Sequence, residues 1–272
     1  MIYVEHENLD NVLEWFRNFN GTDENYLRGH YERYQRTLQF ALDESNCETK
    51  LDILDIGCHW LHNTFFYSNR GHRVVATDAP DLMDYDSVVT ASKAMNAVLL
   101  PSKRLETGNG ISELEENSID LVLFCEIIEH LAFNPIPLWK QIYRVLRPGG
   151  RIIVTTPNSM YHRSIDIQLN RALSGSGFGI SINDIMSNGT YGHHWKEFSI
   201  LELKEYFNFL SADFDTSRFE MITLDFDKDT DLSSEAIEIS KFTDVRAHNI
   251  YLEVKLNEKL SGIQVDPPWI PK

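Results

Sequence analysis

Cysteine is scarce in this sequence. Its 272 residues include only Cys47, Cys58 and Cys125, which lie far apart without CxxC spacing. Three such thiols do not suit a disulfide framework, which needs pairs, or a zinc knuckle, which needs closely spaced ligands. We therefore expect reduced thiols and a cytoplasmic location.

Long apolar runs are also missing. No stretch approaches the roughly 18 consecutive apolar residues of a membrane span. The first residues, MIYVEHE, lack the basic segment and apolar run of a secretory signal. The sequence predicts neither export by such a signal nor membrane insertion.

Positive charge is limited. Lys and Arg total 25 against 41 Asp and Glu, a formal net charge of -16, and there is no dense Lys/Arg run. A field of that sign repels phosphate backbones and anionic lipid surfaces. We expect no nucleic-acid partner and interpret the acidity as a means of solubility.

Residues 1–50 have a helical pattern. Two helices are predicted within residues 9–46, separated at Asn20-Gly21. The second carries an apolar stripe at near-helical spacing, formed by Tyr26, Tyr31, Tyr34, Leu38 and Ala41. Because such a stripe needs a surface to pack on, we expect an N-terminal helical brace or lid.

The pattern changes at Leu51 to short apolar strands alternating with helices, which is typical of a parallel, doubly wound sheet. The clearest elements are the strands Leu51–Ile56, Arg73–Thr77, Ile119–Cys125 and Arg151–Thr155 and the crossover helix Pro137–Leu146. Two later alternating runs, Phe219–Phe226 and His248–Lys255, suit an antiparallel hairpin. Residues 51–256 are predicted to form one α/β domain, a Rossmann-like, doubly wound, mostly parallel seven-stranded sheet with an antiparallel C-terminal edge hairpin and an N-terminal helical extension.

Residues 157–196 interrupt the alternation of strands and helices with the segments SGSGFG and SNGTYG, although the apolar residues of Ile165–Leu173 keep helical spacing. A helix starting near Ser199 follows. An insertion at the carboxyl edge of a strand lies where open α/β sheets bind ligands, so we expect it to form an acceptor pocket. Residues 257–272 are predicted to be a C-terminal tail, in which Trp269 either packs on the sheet edge or contacts a second copy.

One strand-to-turn junction carries chemistry. The segment Leu54–Cys58 (LDIGC) has a glycine where the backbone can approach a ligand, because glycine has no Cβ to collide with it. Asp78 ends the next strand about 20 positions after Gly57, where a carboxylate can accept both hydroxyls of a ribose. Together the two features predict a nucleotide-binding site.

Four segments carry a resemblance to a known family: LDIGC, VVATD, IDLVLFCEIIEHL and VLRPGGRIIVTTPN. In this order they resemble the motifs of the class I S-adenosylmethionine-dependent methyltransferases, from about Leu51 to Glu253. The resemblance implies S-adenosylmethionine as cofactor. Two departures stand out: His59-Trp60-Leu61 replaces the glycine-rich continuation of LDIGC, and Gly108-Asn109-Gly110 stands where an adenine-contacting Asp is expected.

The resemblance also implies six cofactor-binding residues. They are Asp55 and Gly57 at the methionine moiety with Cys58 beside them, Asp78 at the ribose, Asn109 beside the adenine, and Glu126 between cofactor and acceptor. From the residues alone, Asp55 also suits a loop brace and Asp78 a helix cap.

Three histidines suit proton transfer, because the ordinary pKa of histidine is near 6.5 and methyl transfer to a hydroxyl needs a base. His130 belongs to the EH pair of the family motif. The segment GHHWKEFSILELKEYF resembles one that precedes the helix flanking the acceptor pocket in small-molecule members. We predict His194 and His130 as catalytic and His193 as substrate-binding; the alternative is that they only brace the adjoining helices.

Tyr161 and Arg163 are predicted to contact the acceptor, with Asn170 and Arg171 as further candidates. The two arginines suit a clamp for a carboxylate or phosphate, or else a solvated helix face. No residues have metal-ligand spacing, since the adjacent His193 and His194 point apart on a regular element. We therefore expect no metal.

These inferences predict an S-adenosylmethionine-dependent methyltransferase with a small-molecule acceptor, acting by O-methylation of a sugar or related metabolite. Two alternatives stay open: a non-catalytic methyltransferase-like scaffold, and a methyltransferase of a protein partner. The sequence also leaves open whether the chain forms a homo-oligomer.

Overall fold

The computed structural model describes residues 7–19, 23–42, 49–187, 189, 191–223 and 230–265. Within them, one mixed sheet is covered by helices. Its strands are β1 (Asp52–Ile56), β2 (Arg73–Thr77), β3 (Val98–Leu99), β4 (Ile119–Cys125), β5 (Leu146–Pro157), β6 (Phe214–Asp215), β7 (Phe219–Ile222) and β8 (Asn249–Leu256). The helices are α1 (Leu9–Arg17), α2 (Glu24–Ala41), α3 (His62–Ser68), α4 (Pro80–Met83), α5 (Asp86–Ala94), α6 (Ile136–Val145), α7 (His162–Leu173), α8 (Ile182–Ser187), α9 (Ile200–Leu210) and α10 (Ser234–Ile239).

The sheet has the order β3-β2-β1-β4-β5-β8-β6, and β7 also pairs with β8. Strands β1 to β5 are parallel, whereas β8 runs antiparallel to β5, β6 and β7. This arrangement confirms the predicted Rossmann-like, mostly parallel sheet with an antiparallel edge. The parallel strands end at one edge, which is where open α/β sheets bind ligands.

The described sheet has eight strands instead of the predicted seven, because one edge strand is divided. Both β6 and β7 pair with successive stretches of β8. Between them, the Asp215 carboxylate accepts a hydrogen bond of 2.9 Å from the backbone N–H of Ser217. A local bond of this kind competes with the ladder and interrupts it.

Alternate residues of the central strands enter two separate cores. Val122 and Phe124 of β4 pack with α6 and α9 on one face. Leu121 and Leu123 pack with α1, α2 and α3 on the other. This period of two explains why the strands read as continuous apolar runs: a sheet covered on both faces needs apolar side chains at every position.

The N-terminal helices cover one face of the sheet. The side chains of Asn8 and Asp23 cap α1 and α2 by accepting backbone N–H groups of the first turns. On α2, Tyr34, Leu38 and Ala41 are buried, as the apolar stripe predicts. The predicted break at Asn20-Gly21 lies outside the described residues.

Other predicted bounds are close to the structure. The crossover helix α6 is displaced by one residue, and a capping box between Ser199 and Glu202 starts α9. Helix α7 begins earlier than predicted, at His162, while β3 and α8 were not predicted. The end of the predicted hairpin strand at 224–226, and Trp269 in the tail, lie outside the described residues. Within the described part of the chain, every helix is too short or too polar to cross a membrane.

Candidate active site

A cavity of about 530 Å³ lies at the carboxyl ends of β1, β2 and β4. Its wall includes the ends of these strands, the loops after them, and one face of α2. This volume is within the usual range for small-molecule sites, about 300–1,000 Å³. The cavity therefore occupies the position that the strand order predicts for a ligand.

The loop after β1 brings backbone close to the cavity. Gly57 has φ +74, and a Cβ on it would stand 2.0 Å from Cδ1 of Ile127. His59 and Leu61 also have positive φ, 48 and 64. The loop therefore keeps left-handed geometry without the glycines of related proteins, which costs about 1–3 kcal/mol per residue.

Asp55 is buried at the end of β1. Its Oδ2 accepts a hydrogen bond of 2.6 Å from the Thr64 hydroxyl. Burial raises the pKa of Asp55 to about 6, with hydrogen bonds from Thr64 and Asn63 opposing this rise. The carboxylate both lines the cavity and ties β1 to the start of α3.

Asp78 joins the loops after β1 and β2. Its Oδ2 accepts from the backbone N–H of His59 at 2.9 Å and its Oδ1 from that of Ala79 at 2.7 Å. Each oxygen has a second lone pair to offer to a ligand hydroxyl. Cys58 also lines the cavity, and burial raises the pKa of its thiol well above the ordinary value.

Three buried polar atoms of cavity-lining side chains have no hydrogen-bond partner among the described residues. They are Asn63 Oδ1, Thr77 Oγ1 and His59 Nδ1. Buried polar groups are normally paired, so such atoms at a cavity wall are suited to a polar ligand.

Asn109 does not line this cavity. Its Oδ1 accepts the backbone N–H of Lys103 at 3.0 Å, and its carbonyl accepts the Ser102 hydroxyl at 2.7 Å. Ser102 and Lys103 line the cavity instead. The structure thus gives Asn109 a bracing position behind the wall, while a contact with adenine stays a prediction.

Glu126 is the point where four elements meet. It follows β4 with a left-handed φ of 56. Its carboxylate accepts from Thr155 of β5 at 2.8 Å and Asn249 of β8 at 3.1 Å, and lies 3.2 Å from Nη1 of Arg33 on α2. These partners hold the carboxylate at the cavity wall.

Helix α2 supplies cavity residues that the sequence did not reveal. Tyr26, Arg33, Tyr34 and Thr37 all line the cavity. The tyrosine stripe predicted that this helix packs on something, but only tertiary contact shows that its polar residues face a ligand site. The N-terminal segment is therefore part of the wall.

Of the three predicted histidines, His130 lines the cavity, while His193 and His194 are not among its lining residues. The His130 ring lies 4.9 Å from that of His194, centroid to centroid, and the His193 ring packs against Trp195. His130 Nδ1 donates to the His193 carbonyl at 2.9 Å, and His194 Nδ1 lies 3.0 Å from Oε1 of Glu197. Burial lowers the pKa of His130, whereas the hydrogen bond that His194 donates to Glu197 raises the pKa of His194.

Glu129 lies beside His130 and His194, and the expectation of no bound metal stays a prediction. Ligand atoms of Glu129, His130 and His194 all lie within 4.8 Å of one another. Spacing could not reveal the cluster, because His194 is far from the other two in the chain.

The remaining predicted acceptor residues lie apart from this cavity. Tyr161 is buried at the start of α7, with its ring against His162 and His248. Arg163 is exposed on α7, as is Asn170, and Arg171 donates to the carbonyl of Gly179. Their roles in acceptor binding stay predictions.

Comparison with known proteins agrees with this geometry. Residues 54–154 match the family model described as a methyltransferase domain. A Mycolicibacterium smegmatis protein named "Probable S-adenosylmethionine-dependent methyltransferase" is 30% identical over 139 residues, which cover 50% of this chain and 47% of that protein. The chain therefore spans about half the length of the curated relative it matches.

Solved structures share the fold. A SAM-dependent methyltransferase from Archaeoglobus fulgidus superposes with a TM-score of 0.52 at 16% identity, covering 89% of this chain and 98% of that one. A Haloferax volcanii methyltransferase in complex with the activator Trm112 gives 0.51 at 16%, covering 94% and 99%. At these identities the likeness shows the fold alone.

Proposed function

We propose that the protein is a class I S-adenosylmethionine-dependent methyltransferase, as the match of residues 54–154 to a methyltransferase domain supports, and that it methylates a hydroxyl oxygen of a sugar or related small polar metabolite. The observation that carries the proposal is the cavity at the carboxyl ends of β1, β2 and β4, with polar groups at both ends. We also propose a cytoplasmic location, in keeping with the free Cys58 and Cys125.

The cavity residues fit S-adenosylmethionine. Gly57 leaves room that a Cβ would fill, and the unpartnered atoms of Asn63 and Thr77 can bond the polar methionine end. Asp78 can accept from the ribose hydroxyls, as carboxylates at this position do in dinucleotide sites. Ser102 and Lys103 would border the adenine.

When bound, the cofactor would supply a sulfonium methyl group to the acceptor oxygen, with the electron pair of the broken carbon–sulfur bond left on sulfur and the acceptor proton taken up by a base. We assign the proton to His130. Because its Nδ1 donates to the His193 carbonyl, Nε2 is the nitrogen without a proton in the neutral ring. Its lowered pKa keeps the ring neutral at pH 7.

His194 has a positioning role in this proposal. Its ring packs edge-on against His130, and Glu197 holds its Nδ1. An imidazole held by a carboxylate is a common arrangement for accepting a proton from a neighbouring group. His194 is about half exposed, so the proton can continue to solvent.

The coverage of the cavity favours a small acceptor over a protein partner. Tyr26 of α2 and Tyr191 of the insertion both form part of its wall, although they lie far apart in the chain. Walls from both elements narrow the space for a protein segment. The retained polar lining argues against a non-catalytic scaffold.

Calorimetric titration with S-adenosylmethionine and S-adenosylhomocysteine tests the proposal. We expect micromolar binding, and at least about tenfold weaker binding for Asp78→Ala, because hydrogen bonds to a charged group contribute about 1.5–3 kcal/mol. Asp81→Ala, which removes an exposed carboxylate three residues away on α4, is the matched control. Absence of binding to the unaltered protein would favour the scaffold alternative.

A further inference from the structure

We propose that Glu129, His130 and His194 bind a divalent transition-metal cation at the acceptor end of the cavity. The binding site itself stands on the geometry of these three side chains. The role of the cation, which is to bind the acceptor hydroxyl, rests on the proposed function.

Glu129 is the strongest observation. Its side chain is buried, and Oε2 accepts from the Thr156 hydroxyl at 2.9 Å, while Oε1 has no hydrogen-bond partner among the described residues. A buried carboxylate oxygen without a partner is costly in a folded protein. A cation bound at Oε1 would remove that cost.

Both histidines lie close to the Glu129 carboxylate. His130 Nε2 lies 3.9 Å from Glu129 Oε1. In each ring, Nδ1 is held by another group: the His193 carbonyl for His130 and the Glu197 carboxylate for His194. Metal-binding histidines almost always have one nitrogen held in this way by a carbonyl or carboxylate, which orients the other toward the metal.

The backbone brings the chain-distant ligand into place. The backbone N–H of Trp195 donates to the Glu129 carbonyl at 2.7 Å, so the segment with His194 is fastened directly to the loop after β4. All three ligand atoms lie within 4.8 Å of one another. Metal–ligand bonds are about 2.0–2.2 Å long. The three side chains need to move toward one another by only about 1 Å for their ligand atoms to reach these distances from one cation.

The ligand types select the cation class. Two imidazoles and one carboxylate suit Zn²⁺, Mn²⁺, Fe²⁺ or Co²⁺, whereas Ca²⁺ and Mg²⁺ prefer oxygen ligands throughout. Three protein ligands leave coordination positions open. Because His130 also lines the cavity, these positions are accessible to the acceptor.

The cation deepens the proposed function by defining the acceptor. An acceptor hydroxyl on a divalent cation has a lowered pKa, as metal-bound water has, so its oxygen is a better nucleophile. With the cation bound, His130 Nε2 is a ligand instead of the base, and the acceptor proton passes to water. A neighbouring oxygen on the acceptor could fill a second position. The substrate class is then an acceptor with two adjacent oxygens, such as a vicinal diol.

Metal binding is testable without knowing the acceptor. Untagged protein is treated with EDTA, dialysed, and titrated calorimetrically with Zn²⁺ and with Mn²⁺; metal content is then measured by mass spectrometry. We expect about one equivalent for the unaltered protein and at least about 100-fold weaker binding for Glu129→Gln and His194→Ala. Glu197→Gln should weaken binding about 10- to 100-fold, as loss of an orienting partner does.

Two matched controls make the test selective. Glu205→Gln removes an exposed carboxylate on α9, and His30→Asn removes a partly buried histidine on α2; both should bind metal like the unaltered protein. Binding below about a tenth of an equivalent, or the same loss in controls and ligand variants, would overturn the proposal. Circular dichroism checks that each variant is folded.

The two proposals fail separately. Asp78→Ala should lose cofactor affinity and keep its metal, whereas Glu129→Gln should lose its metal and bind S-adenosylhomocysteine within about threefold of the unaltered protein. Metal binding by the unaltered protein without cofactor binding would contradict the proposed function but not the metal site. Cofactor binding without metal binding would contradict the metal site but not the proposed function.

Discussion

The two ends of the cavity are built differently. At the cofactor end, the loops after β1 and β2 are joined by hydrogen bonds from the backbone N–H groups of His59 and Ala79 to the Asp78 carboxylate. At the proposed acceptor end, His130 lines the cavity and packs against His194, which belongs to a segment far away in the chain. The insertion behind it leaves large apolar side chains exposed: Leu173, Phe178, Ile182 and Met186, by 71–86%.

The difference teaches where this fold tolerates change. A cofactor end fixed by strand ends and tight turns can vary little without losing its geometry. An acceptor end carried on a surface insertion can change in sequence while the sheet stays intact, which is how one fold serves many substrates.

The largest expected effect separates the two ends by their kinetics. His130→Ala should lower turnover about 10²–10⁴-fold, the range that acid–base catalysis supplies, and leave S-adenosylmethionine affinity nearly unchanged. Steady-state kinetics with an acceptor identified by screening gives both quantities. A loss in cofactor affinity as large as the loss in turnover would mean that the two ends are not independent.

Glu126 stands between the two ends, and Glu126→Gln tests its structural role. The change leaves Arg33 facing a neutral amide in a largely buried site. We expect the free energy of unfolding to fall by about 3–5 kcal/mol, as when one partner of a buried pair is removed. Urea unfolding measures it, with Glu205→Gln as control; a loss below about 1 kcal/mol would contradict this role.

Asp55 gives the cofactor end a pH dependence. Its folded pKa of about 6 lies above the ordinary value of 3.8, so the folded protein holds an extra proton between these values and loses stability as pH rises through them. From about pH 4.5 to 7.5, the unaltered protein should lose about 2 kcal/mol of unfolding free energy that Asp55→Asn does not lose. Urea unfolding of the unaltered protein and of Asp55→Asn at the two pH values measures this, because the contributions of other groups cancel in the difference. The same pH dependence in both proteins would disprove the raised pKa of Asp55.

Glu129 should behave oppositely to Glu126, although the two lie three residues apart. Burial raises the pKa of Glu129, and Oε1 lacks a partner. In metal-free protein at about pH 7, Glu129→Gln should raise the free energy of unfolding by about 1 kcal/mol, since the amide removes the cost of either burying the charge or protonating the group on folding. Thermal unfolding in EDTA measures this, and a loss above 1 kcal/mol would show that the carboxylate stabilises the fold.

The smallest effect is expected in the insertion. Phe178→Ser and Met186→Ser change exposed side chains, so each should alter the free energy of unfolding by less than about 0.5 kcal/mol. Phe207→Ser in the core beneath α9 is the contrasting variant and should cost several kcal/mol. Equal losses for surface and core variants would mean that the insertion is covered in solution.

Much of the fold was predictable because its signals are local. The strands β1, β2, β4 and β5 are apolar runs whose alternate residues enter opposite cores, and the Gly57 turn and the cap at Ser199 depend on neighbouring residues. The strand β3, two residues long, and the division of the edge strand at Asp215 left no comparable pattern.

The sequence by itself predicted the sheet, the parallel direction of its central strands, and the candidate cofactor residues Asp55, Gly57 and Asp78. These features depend on strand period, turn residues and spacing between neighbouring elements, which can be read from nearby residues of the chain. Only the tertiary structure decided that Arg33 faces Glu126 and that His194 joins Glu129 and His130. Such groupings arise when packing brings remote segments together, and no periodicity along the chain records which remote side chains will meet.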